Sequence, residues 1–152
     1  MRYAKLAFAI LGLAAALVAA DPFAGTWKLN SAKSKYKTGT APKEQTVTIA
    51  ETGSDLDVII SGTVADGSAI MSSHYTVPAQ GGEGKIIQSP YEAVSGKRMG
   101  SNQREITYSK GGKAVLTARS MVSASGKTIT VNVKGTDMQN KPVDAVVVYD
   151  KQ

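Results

Sequence analysis

From residue 21 onward the chain alternates apolar and polar residues in short runs, and no stretch sustains a helical period. The clearest run is Lys127-Thr128-Ile129-Thr130-Val131-Asn132-Val133-Lys134. Successive side chains in a strand point to opposite faces, so Ile129, Val131 and Val133 share one face and Thr128, Thr130, Asn132 and Lys134 the other. Gln45 to Ala50 alternates through Val47 and Ile49, and Asp55 to Gly62 through Leu56, Val58 and Ile60. Further strands are expected near 25–29, 68–77, 84–88, 94–99, 103–109, 113–122 and 143–150, about ten in all.

Turn chemistry separates these runs. Asp66-Gly67 suits a tight primed turn, in which both central residues take positive φ. Gly111-Gly112, Ser125-Gly126 and Thr52-Gly53 punctuate other pairs in the same way. Short loops join antiparallel neighbours, because a parallel crossover needs a dozen or more residues. The expected fold is therefore all-β: an antiparallel up-and-down meander of 8–10 strands, closed as a barrel or folded as a sandwich.

Two segments break the alternation. Ser31 to Glu44 is polar, with Lys33, Lys35, Lys37 and Lys43 around Tyr36. Its lysines fit no regular face, so a solvated connecting loop is favoured over a basic patch for an acidic surface. Pro78 to Gly84 holds three glycines and reads as a flexible loop.

The first twenty residues are of a different kind. Arg2 and Lys5 precede an apolar run from Leu6 to Ala20 that ends in Val18-Ala19-Ala20. A basic n-region, an apolar h-region and small residues at a cleavage site make a secretory signal peptide. Fifteen apolar residues are too few for a spanning helix, which needs about 20, so no stable membrane anchor is expected after cleavage. Cleavage after Ala20 leaves a single 132-residue domain beginning at Asp21, and loss of Arg2 and Lys5 lowers the net charge from +6 to +4. That charge is too small and dispersed to indicate nucleic acid. Cysteine is absent, so an exported domain here rests on its hydrophobic core rather than on disulfides. No Asn-x-Ser/Thr sequon occurs. A periplasmic or secreted bacterial protein fits these features.

Catalytic machinery is thin. His74 is the single histidine, so activation of a serine nucleophile would rest on it alone. There is no Gly-x-Ser-x-Gly elbow, no set of zinc ligands and no calcium loop. Gly126-Lys127-Thr128 resembles the end of a phosphate loop, but Met121 stands where its first glycine belongs. Asp55 and Asp57 share a strand face, where charged strand ends in water are the commoner outcome. No enzyme, metal or cofactor is expected.

A resemblance supplies more. Phe23-Ala24-Gly25-Thr26-Trp27-Lys28-Leu29 resembles the opening strand of the calycins: the lipocalins, with their Gly-x-Trp signature, and the fatty-acid-binding proteins, which often begin Phe-x-Gly-Thr-Trp-Lys-Leu. Val148-Tyr149-Asp150-Lys151 resembles the last strand of the latter, and Arg119 falls where an arginine stands two strands earlier. The resemblance implies a non-enzymatic barrel that binds a small apolar or amphipathic molecule. Gly25 and Trp27 become the structural signature, with Trp27 plugging one end. Arg119 is the expected partner stacked on Trp27, a structural role favoured over ligand contact. Arg119, Tyr149 and Tyr108 are the candidate ligand-binding residues. The chain departs from the pattern in three places. Ser31–Glu44 has no helical lid, Val147 occupies the position of a clamp arginine, and no disulfide is present. A packed barrel acting through its surface as a structural or interaction module is the alternative, and an exported hydrolase using His74 or Asp55–Asp57 is a third.

Overall fold

The computed structural model describes residues 19–70 and 72–152. The signal-like segment up to Val18 lies outside the described residues. No helix occurs among those that are described.

Twelve strands make one antiparallel sheet that curls into a nearly closed barrel. In chain order they are β1 (Gly25–Leu29), β2 (Lys35–Thr38), β3 (Glu44–Thr52), β4 (Asp55–Thr63), β5 (Ser73–Pro78), β6 (Gly81–Glu83), β7 (Lys85–Gln88), β8 (Ala93–Arg98), β9 (Gln103–Lys110), β10 (Lys113–Val122), β11 (Thr128–Thr136) and β12 (Pro142–Lys151). Neighbours run β6-β8-β9-β10-β11-β12-β1-β3-β4-β5-β7, with β2 paired to β12. The first and last of these strands meet where Trp27 pairs with Lys151. Pairing the first strand with the last removes an edge that would otherwise be left unpaired.

The alternation read from sequence sets the inside and the outside. On β9, Arg104, Ile106 and Tyr108 are buried while their neighbours are more exposed. Along β12, Ala145, Val147 and Tyr149 pack inward. Two apolar clusters result. One gathers Phe23, Trp27, Val122 and Ile129 with the inner face of β12. The other gathers Leu56, Val58, Tyr75, Val77, Val94, Ile106 and Tyr108. Val47 and Ile49 on β3 touch both.

Two strands lie where loops were expected. Lys35–Thr38 continues the edge of β1 past a turn at Asn30–Ser34 and pairs with Asp144 to Val146. Its composition is polar because three of its four residues face water; only Tyr36 is drawn inward. Gly81–Glu83 crosses the remaining gap in the barrel to pair with Ser95 to Lys97 on β8. Glycine on both strands permits this approach: a Cβ at Gly81 would lie 3.1 Å from the Gly96 carbonyl oxygen and 3.2 Å from Arg98 N. The expected strand at 68–77 is shorter and starts at Ser73, after a single bridge between Thr63 and Ala69.

Gly111 and Gly112 both take positive φ, 57° and 71°, as a primed hairpin turn requires. At Asp66-Gly67 only the glycine does so. The Asp66 carboxylate instead accepts hydrogen bonds from the backbone and hydroxyl of Ser68, an Asx turn that replaces the primed geometry.

Candidate functional site

The barrel encloses a cavity of about 350 Å³, at the small end of the range typical of small-molecule sites. Val47, Val58, Ile106, Leu116, Val133 and Val147 supply much of its apolar wall, and Ala118, Ser120 and Ala145 leave room on β10 and β12. Small residues at inward positions thus produce space here rather than tight packing. The cavity opens past Tyr36, Thr40, Pro42, Ile70, Pro90 and Tyr91, beside the Asp137–Asn140 turn.

The other end is closed. Trp27 is fully buried, and its indole N–H donates to the Phe23 carbonyl at 2.9 Å. Phe23 lies on the cavity floor, with the Arg104 guanidinium 4.8 Å from its ring centroid. Arg104 donates to Asp21 at 3.3 Å and to the Ala79 carbonyl at 3.0 Å. Arg98 reaches the same Asp21 oxygen at 2.9 Å. The Asp21 side chain is only 6% exposed. Burial works to raise its pKa, but the Phe23 N–H and the two guanidiniums outweigh burial and hold it below the usual value. Two cations sharing one buried carboxylate tie the N-terminal segment to β8, β9 and the β5–β6 turn.

Tyrosines provide half of the cavity's polar side chains. Tyr75 and Tyr108 share a hydroxyl–hydroxyl hydrogen bond of 2.8 Å, with rings edge to face at 5.7 Å. Tyr91 packs on Tyr108 at 4.9 Å. Tyr149 donates to the Gln45 side-chain oxygen. Burial pushes Tyr75 up to about 12 and raises Tyr108 and Tyr149 as well, because a phenolate loses its hydration in the barrel. The Tyr36 hydroxyl is buried without a hydrogen-bond partner.

Of the sequence candidates, Tyr108 and Tyr149 both line this cavity. Arg119 does not, and its assignment needs correction. Leu116, Ala118 and Ser120 take the inward positions of β10, which sends Arg119 outward. There it pairs with Glu105, directly opposite on β9, at 2.6 Å. The expected stacking of Arg119 on Trp27 is therefore also absent. Lys151 lies over that ring, its Nζ 5.1 Å from the centroid. The arginine that reaches the interior is Arg104, 5% exposed. Its sequence signal was the row Arg104-Ile106-Tyr108 on one strand face.

Gly25 has φ 137°, and a Cβ there would meet Lys151 Cε at 2.7 Å. The glycine of Gly-x-Trp thus lets the last strand's lysine cross to the indole. His74 lies outside the cavity, with Nε2 2.8 Å from Asp57; among the described residues its ring bonds to no hydroxyl. Asp55 and Asp57 do not line the cavity. Among the described residues no group of three or more His, Cys, Asp or Glu could hold a metal.

No family model matches the chain, and neither does any curated protein. Among solved structures, it is similar to zebrafish ileal bile acid-binding protein complexed with cholic acid. The TM-score is 0.53 at 12% identity, over 86% of this chain and 99% of the other. The fold is calycin-like. With so little identity, the likeness concerns the barrel and not the ligand. In the Ser31–Glu44 stretch this calycin-like barrel carries β2 and a loop, with Tyr36 over the mouth.

Proposed function

We propose that this protein is an exported, non-enzymatic binding protein that holds a small apolar or amphipathic molecule inside its barrel. The observation that carries this reading is the cavity: about 350 Å³, walled by aliphatic side chains, with a few polar groups and one open end. That combination is the usual make-up of a small-molecule site. The bile acid-binding protein of similar fold supports a ligand-binding barrel in general terms.

Export rests on the Arg2–Ala20 signal pattern. The carboxylate of Asp21, the first residue after the expected cleavage point, is built into the barrel floor, so a chain starting there keeps every strand of the described residues. The absence of catalysis rests on the position of His74, whose ring faces an aspartate on the outside of the barrel.

Titration with Nile red, a neutral solvatochromic dye, tests the binding reading. Saturable one-to-one binding is expected, and Ala118→Phe, which fills the cavity, should weaken it at least about tenfold. Dye binding that is absent, or unaffected by Ala118→Phe in a folded protein, overturns it.

A further inference from the structure

Asp21 is held by every one of its polar atoms. Its carbonyl accepts from the Ala24 N–H at 2.9 Å, and its Oδ1 accepts from the Phe23 N–H at 3.0 Å. The local sequence favours this turn: aspartate suits the first position, and Pro22 presets φ at the second. Oδ2 takes both Arg98 and Arg104. The remaining group is the backbone nitrogen, which donates to Glu51 Oε1 at 2.9 Å. Ala19 and Ala20, just before it, are exposed. This network therefore starts at the residue that the signal pattern makes the first of the mature chain.

Glu51 lies two residues beyond Ile49 on β3, on the same strand face as Val47 and Ile49, which line the cavity. Among the described residues its carboxylate pairs with no lysine, arginine or histidine. To a peptide N–H it offers one ordinary hydrogen bond. Cleavage after Ala20 turns the same nitrogen into an ammonium. The contact then becomes a charge-assisted hydrogen bond, which is shorter and stronger.

The new charge also meets repulsion. Arg98 and Arg104 share a single carboxylate, so this corner already holds one positive charge in excess, and a further cation is disfavoured there. Glu51 supplies the offsetting negative charge. Exposed ion pairs are usually weak, in part because two long side chains must be ordered. Here the nitrogen is fixed in advance by the turn and by the bonds to the Asp21 carboxylate, which leaves only the Glu51 side chain to order.

Resting on the export reading above, we infer that Glu51 is the receiving site for the α-ammonium that signal cleavage creates at Asp21. Cleavage thereby tightens the barrel floor, and the mature chain is more stable than one that keeps residues ahead of Asp21.

Urea unfolding at low salt and about pH 6.5, where an α-amine is protonated, tests this. A chain beginning at Asp21, released from a cleavable fusion, is compared with one that retains Ala19-Ala20, each with and without Glu51→Gln. The chain beginning at Asp21 should have an unfolding equilibrium constant about 2–5-fold smaller, the scale of one exposed charge pair. Glu51→Gln should abolish or reverse the difference, because the ammonium is then left beside two guanidiniums. Salt at about 1 M should shrink it by screening. Equal stability of the two chains, or a difference that survives Glu51→Gln, overturns the inference and leaves the export reading standing. An intact mass of the exported protein that places its start elsewhere than Asp21 overturns the cleavage reading, and this inference falls with it.

Discussion

The Lys151 ammonium lies 5.1 Å from the centroid of the buried Trp27 indole, and its side chain crosses Gly25 to get there. This contact joins the first strand to the last and caps the closed end of the barrel. Lys151→Met should cost no more than about 1 kcal/mol, the scale of a solvent-accessible cation–π contact. Trp27→Ala should cost about 3–5 kcal/mol as a large core deletion. Arg119→Met removes an exposed pair with Glu105, worth about 0–1 kcal/mol, and should leave binding of Nile red unchanged. Urea unfolding of the three variants checks the order. A loss from Arg119→Met as large as that from Trp27→Ala would contradict this placement of the arginine.

Sequence patterning gave clear access to the strands that alternate. The β3–β4 hairpin and β11 follow from the spacing of Val47, Ile49, Leu56, Val58, Ile129 and Val131, and they form as that spacing requires. Short strands held by backbone alone were hidden. Gly81–Glu83 has no side-chain alternation to read, and Lys35–Thr38 is mostly solvent-facing. Arg119 was placed by resemblance alone, and β10, with Val115 and Met121 apolar on one face and Leu116 and Ala118 on the other, offers no alternation that would have corrected it. A register shift between Ala114 and Leu116 adds to the ambiguity. Tyr108 and Tyr149, named as ligand candidates through the resemblance, both line the cavity. The Asp21–Arg104 pair was not, because it joins residues 83 positions apart through no local pattern.

Asp21 makes the protein sensitive to acid. Its carboxyl is held below 3.8 in the folded state, so ionisation favours folding above the unfolded value. That contribution is complete above about pH 4 and fades as pH falls through the depressed native value. Asp21→Asn should cost about 3 kcal/mol, because Arg104 and Arg98 keep their charges around a neutral amide. It should also flatten the fall in melting temperature between pH 4 and pH 2. An unchanged acid profile in the variant would contradict the role given to Asp21.

At the alkaline end the tyrosines take over. Burial raises Tyr75 from 10.0 to about 12 and lifts Tyr108 and Tyr149 in the same direction. Their neutral forms are favoured in the fold. The stability they contribute is full below pH 10 and is lost as pH rises toward 12 and beyond. Absorbance at the phenolate band during a base titration should therefore rise in step with loss of β circular dichroism. Tyrosines that ionise near 10 in the intact fold would contradict this burial.

Processing gives a direct check on the export reading. Protein recovered from the periplasm or medium should have an intact mass that corresponds to a chain beginning at Asp21. Full-length protein in the cytosol would contradict it.

The central claim is that the barrel holds a ligand rather than packing solid. Native mass spectrometry of the protein purified from its own host tests it most directly. The expected spectrum contains a bound small organic species at one per chain, released by organic extraction and absent from Ala118→Phe. A bare protein mass before and after extraction, from material that also excludes Nile red, would contradict the account and favour a barrel that acts through its surface.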